Sequence, residues 1–112
     1  MRVETESSDD GIALIKLAGR MDAQGAPEIE QKVMDQAASH RSIIMDMAAV
    51  DFLASVGIRT LLLVAKAVSK RGGRMVLLNP DPSIAKILEI SGIDSLIPTH
   101  RSLDEARRAA SL

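Results

Sequence analysis

Ser42-Ile43-Ile44-Met45-Asp46, the stretch Ser55 to Arg71, and Met75-Val76-Leu77-Leu78 decide the fold of this 112-residue chain. The first and third are compact apolar runs with a polar stop, the pattern of strands buried on both faces. Between them, Ser55 to Arg71 carries apolar residues at helical spacing and halts at Gly72-Gly73. Strand, helix and strand in that order pair in parallel through a crossover. Met47 to Ala54 reads as the connection from the first strand to the helix.

Upstream, residues 3–6 are β-compatible, and Ser7-Ser8-Asp9-Asp10-Gly11 is a turn cluster with an Asp-Gly pair. Ile12 to Ala18 reads as the second arm of a hairpin, closed by Gly19, and Arg20 to Gly25 as a loop. Pro27 suits the first turn of a helix, with Glu28 and Glu30 at its positive end and Ile29, Val33 and Ala37 as its apolar stripe. Downstream, Asp81-Pro82 starts a helix whose Ile84, Ile87 and Leu88 face inward and which Gly92 ends. Leu96-Ile97-Pro98-Thr99 reads as a short edge strand, where proline is tolerated. Ser102-Leu103-Asp104-Glu105 has capping-box spacing for a last helix, and Arg107-Arg108 complement its C-terminal end. The order is β-β-α-β-α-β-α-β-α, with neither linker nor internal repeat. It predicts one domain over residues 1–112, of α/β class: a single mixed, mostly parallel sheet with the helices packed on one side.

Composition narrows the function. The chain is 46% hydrophobic with a formal net charge of −1, so it can build a core and shows no basic patch for direct nucleic-acid binding. Cysteines are missing, which removes disulfides, thiol nucleophiles and thiolate metal sites together. Phe52 is the only aromatic residue, so the core must be aliphatic and no base-stacking platform is available. Arg59 and Lys66 interrupt the longest apolar run before it reaches the ~20 residues that span a bilayer. Met1-Arg2-Val3-Glu4 turns polar at once, unlike a signal peptide. The expectation is a cytoplasmic monomer that does not bind a membrane directly.

No catalytic constellation stands out. His40 and His100 belong to no zinc-binding spacing, and Asp46 with Asp51 reads as two solvated acids. Gly72-Gly73 follows a helix, whereas a phosphate cradle follows a strand and opens one. There is no Gly-x-Ser-x-Gly elbow. An enzyme is not expected, nor a metal or cofactor.

Asp46 to Leu63 is more informative. Ser55 opens a long helix after a strand and a short loop, where it reads as an N-cap. A sharper reading is a phosphorylation site, because helix N-termini favour anions and a phosphoryl group adds about −1.5 to −2 charges. On a helical projection Ile58, Leu61, Leu62, Ala65 and Val68 share the face that packs on the sheet. Val56, Arg59, Leu63, Lys66, Ala67 and Lys70 take the other face, where Val56 and Leu63 look like the centre of a docking patch.

Three stretches together resemble one family over essentially the whole chain. They are Leu17-Ala18-Gly19-Arg20-Met21-Asp22, Ile43-Ile44-Met45-Asp46 and Val50-Asp51-Phe52-Leu53-Ala54-Ser55-Val56-Gly57-Ile58. They are similar to the Gly-x-Leu-Asp loop, the Asp-ending central strand and the Phe-x-Asp-Ser-Ser-Gly-Leu signature of STAS-domain bacterial anti-sigma factor antagonists. The resemblance implies a partner-switching module that, when unphosphorylated, captures an anti-sigma factor which is also a serine kinase, freeing a sigma factor. Phosphorylation breaks the capture and a metal-dependent serine phosphatase restores it. Carried across, Ser55 is the phosphoacceptor, with Asp22, Ala54, Val56, Gly57, Arg59 and Leu63 binding the partner. Ala54 departs from the family's Asp, and Val56 from its small polar residue. That departure leaves a second expectation open: an unphosphorylated STAS subunit of a membrane ABC lipid transporter or other signalling complex.

Overall fold

The computed structural model describes residues 1–111. Its hairpin joins β1 (Arg2–Ser7) to β2 (Ile12–Met21) through a turn in which Gly11 takes φ 82°. Helix α1 (Gly25–Ser39) then crosses to β3 (Ser42–Leu53), and α2 (Ser55–Lys70) crosses to β4 (Met75–Leu78). Helix α3 (Pro82–Ile90) and a 3-10 turn at Ile93–Ser95 lead to β5 (Thr99–His100), and α4 (Leu103–Ala110) follows. The five strands lie in the order β1-β2-β3-β4-β5, antiparallel between β1 and β2 and parallel thereafter. The element order and the mostly parallel sheet are those expected from the sequence.

Alternation along the strands divides the interior into two aliphatic cores. Ala13, Ile15 and Leu17 of β2 and Ile43 and Met45 of β3 join Ile29 and Val33 of α1, Leu61 and Val64 of α2, and Ile84 and Leu88 of α3. On the opposite face Ile12, Leu14, Ile44, Val76 and Leu78 meet Ala106 and Ala110 of α4. One-sided layering therefore holds for α1, α2 and α3 only. Buried strand residues that alternate between two apolar faces require a cover on each, and α4 supplies the second.

The expected connection from Met47 to Ala54 is mostly strand. Lys16 pairs with Asp46 but Ala18 with Ala49, and Gly19 pairs with Val50 but Arg20 with Phe52. At each shift β3 carries one extra residue, the signature of a β-bulge. The buried positions Met47, Val50 and Leu53 consequently recur every third residue. This broken alternation hides a strand from a period-two reading. For the same reason β2 continues past Gly19 to Met21, and Asp46 lies within β3 rather than at its end. Pro98 stays outside β5, and its carbonyl accepts from the Leu77 amide at 2.9 Å.

Candidate functional site

The bulges carry the ends of β2 and β3 beyond the sheet centre, where α1 and α2 begin side by side. Ala54, not Ser55, is the N-cap of α2: it is extended (φ −98°, ψ 172°) and its carbonyl accepts from the amides of Gly57 at 2.9 Å and Ile58 at 3.1 Å. The Ala54 amide donates to the Met21 carbonyl at 3.0 Å, tying the start of α2 to the end of β2. A methyl group cannot cap, so no side chain accepts from the first-turn amides. Ser55 is the first helical residue, and among the described residues its exposed hydroxyl has no hydrogen-bond partner. Among the described residues, the serine read as a cap therefore presents an unpartnered hydroxyl at the positive end of a helix dipole that no side chain caps.

Gly57 lies beneath this turn and is buried, not on the docking face where the sequence reading put it. A Cβ there would lie 2.7 Å from Met21 Cγ, 2.8 Å from Leu53 Cδ1 and 2.8 Å from the Met21 carbonyl oxygen. Glycine is required because the helix backbone presses directly on the strand end. Val56 is half-buried and packs against the core, while Arg59 is exposed one turn beyond Ser55 and Leu63 remains 40% exposed a further turn along. The helical projection misplaced Leu62, which is 37% exposed, and omitted Thr60 and Val64, which are buried. The inward face runs Gly57, Thr60, Leu61, Val64 and Val68 because α2 is rotated to bring Gly57 onto Met21. Thr60 uses this burial: its hydroxyl lies 3.1 Å from Glu30 Oε1 of α1 and 3.2 Å from the Val56 carbonyl oxygen.

Asp22 lies in the neighbouring loop, as expected, and organises it. Its Oδ1 accepts from the amides of Gln24 at 3.1 Å and Gly25 at 2.7 Å, and its own carbonyl accepts from the Ala26 amide. The side chain therefore caps α1. The Gly25 amide, followed by Arg20 and the Gln24 amide, holds its carboxyl below the usual carboxylate range despite some desolvation. Two residues that the sequence reading left out of the site complete its rim. The Arg20 guanidinium lies 4.1 Å from the centroid of the Phe52 ring, and Arg20 Nε donates to Asp22 Oδ2 at 3.2 Å. The signal available was the sole aromatic residue standing three positions before Ser55.

A sheet in this order, with a serine opening the helix that follows its central strand, agrees with a STAS-type domain. The family model described as STAS domain matches residues 4–106, and the chain belongs to that family. BtrV of Bordetella bronchiseptica, named as a candidate anti-sigma factor antagonist, is 31% identical over 101 residues that cover 89% of this chain and 87% of that protein. The crystal structure of an anti-sigma factor antagonist from Mycobacterium paratuberculosis superposes with TM-score 0.87 at 27% identity, covering 97% of this chain and 92% of that one. The Bacillus cell fate determinant SpoIIAA in its phosphorylated form superposes with TM-score 0.73 at 22% identity, covering 96% and 99%, a likeness of fold. Among the described residues no helix is long and apolar enough to cross a membrane.

Proposed function

We propose that the chain is an anti-sigma factor antagonist whose Ser55 is the phosphoacceptor of a serine-kinase anti-sigma factor. The unphosphorylated chain captures that partner and frees a sigma factor; a metal-dependent serine phosphatase reverses the modification. The observation that carries this reading is the exposed Ser55 hydroxyl, without a partner among the described residues, at the uncapped start of α2. The names of the relatives support the partner class.

The capture surface in this reading runs from the Asp22 loop across Ala54 and Val56 to Arg59 and Leu63, with Gly57 setting its shape from below. A phosphoryl group would place about −1.5 to −2 charges at its centre. A change of 2.8 kcal/mol in partner affinity is about 100-fold, enough to exchange one partner for another. Ala54 favours a second reading, because the missing carboxylate beside Ser55 weakens the case for a kinase substrate. In that reading the chain is an unphosphorylated STAS subunit of a membrane ABC lipid transporter or another signalling complex.

Capture from lysate of the source organism separates the two. Wild type, Ser55→Ala and Ser55→Asp serve as baits and mass spectrometry identifies the proteins held. A kinase-type anti-sigma factor retained by wild type and Ser55→Ala but lost with Ser55→Asp supports the first reading. Equal retention of that factor by all three overturns it, and a transporter ATPase held equally by all three supports the second.

A further inference from the structure

Beyond the Ser55 end, the outer side of α2 and the segment Leu96–Ile97 enclose a shallow groove of about 470 Å³ whose lining includes Arg59, Leu62, Leu63, Lys66, Leu96 and Ile97. Its floor is apolar and open: Leu62 and Leu63 are 37% and 40% exposed, and Leu96 is 69% exposed. Clustered exposure of this kind marks interaction surfaces. Its charge has one sign. Arg59 and Lys66 line it and, among the described residues, no carboxylate does, although the whole chain carries a net charge of −1.

We propose that this groove docks an acidic amphipathic helix of a protein partner; it shares Arg59 and Leu63 with the capture surface proposed above, rests on that reading of α2, and extends the surface to Lys66 and Leu96. Leucines in the floor would receive that helix's apolar stripe, and Arg59 and Lys66 would pair with its carboxylates. The spacing selects the conformation. Arg59 and Lys66 are seven residues apart on one face of α2, or roughly 10.5 Å along its axis at about 1.5 Å per residue. A helix running beside α2 meets both cations with carboxylates seven residues apart on one of its own faces. An extended segment advances about 3.3 Å per residue, so its carboxylates would fall three residues apart and point to opposite faces.

The test uses the full chain, labelled with ¹⁵N, and two synthetic helical peptides with the same leucine positions at i, i+3, i+4 and i+7. One peptide carries Glu on the flanks and the other Lys. The Glu peptide should shift the amides of residues 59–69 and 96–97 and bind at least tenfold more tightly than the Lys peptide. Reversing both cations, Arg59→Glu with Lys66→Glu, should invert that preference, and Leu96→Ser should weaken Glu-peptide binding severalfold. Leu96 is exposed, so Leu96→Ser should leave the unfolding midpoint nearly unchanged. Equal binding of the two peptides, or shifts confined to Asp22 and Ala54–Gly57, would overturn the proposal. So would concentration-dependent self-association of the chain blocked by Leu96→Ser, which would assign the groove to a second copy.

Discussion

Replacing Gly57 by alanine tests the close approach that sets Ser55 in place. Two effects of opposite sign compete. Alanine is favoured over glycine in a helix interior by about 1 kcal/mol. Against this, the new Cβ would stand 2.8 Å from the Met21 carbonyl oxygen and 2.7 and 2.8 Å from Met21 Cγ and Leu53 Cδ1. Carbon contacts are comfortable at about 3.5–4.0 Å, so the first turn of α2 would have to lift by roughly 0.7 Å. Met21 is fully buried and its carbonyl already accepts from the Ala54 amide, which leaves little room to yield. Overpacking of this kind costs about 1–3 kcal/mol, and a backbone oxygen among the obstacles places this case near the top of that range. The expected net effect is a loss of about 1–2 kcal/mol in denaturant titration, with faster exchange of the Ala54 amide. Gly72→Ala is the control: Gly72 has φ 83° and nothing within 4 Å of its added Cβ, so its cost of about 1 kcal/mol comes from backbone strain alone and leaves Ala54 exchange unchanged. Stabilisation of Gly57→Ala by about 1 kcal/mol would show that propensity wins and that α2 is not pinned on β2.

Three further perturbations probe the surrounding frame. Thr60→Val removes the hydroxyl lying between Glu30 and the Val56 carbonyl and should cost about 1 kcal/mol in denaturant unfolding. A Thr60→Val chain as stable as wild type would mean that the α1–α2 clamp contributes nothing. Asp22→Ala should reduce stability at neutral pH. The folded carboxyl of Asp22 titrates below its ordinary range, so its contribution is complete above the unfolded value of about 3.9 and fades as pH falls through the folded one. The gap between wild type and Asp22→Ala should therefore close towards pH 2 in chemical denaturation series, and a gap constant with pH would contradict the capping role. Arg71→Ala should cost about 1 kcal/mol, because the guanidinium donates to the carbonyls of Ala37 and His40 and closes the C-terminal end of α1. An unchanged exchange rate at the end of α1 would count against that contact.

The sequence exposed those features that obey a single periodicity. The βαβ core around Ile43–Met45 and Met75–Leu78 was legible from apolar runs, and Ile29, Val33 and Ala37 from helical spacing. The far half of β3 was not, because two bulges replace the period of two with steps of three at Met47, Val50 and Leu53. The second face of the sheet was hidden for a related reason: a run such as Ile12 to Ile15 is apolar throughout and does not say that two layers cover it. At the site, Ser55 and Asp22 could be read from motif resemblance. Gly57 looked like a contact residue because its pressure on Met21 arises only when β2 extends past Gly19. Arg20 and Phe52 were obscure because they meet across strands through a shifted register.

The most direct test of the central claim is phosphopeptide mass spectrometry on the chain recovered from its source cells, with and without phosphatase treatment. Phosphate on the peptide containing Ser55, localised to that residue and removed by the phosphatase, is the expected result. Ser55 unmodified in every growth state tested, with partner capture unchanged by Ser55→Asp, would contradict the role of Ser55 as gate.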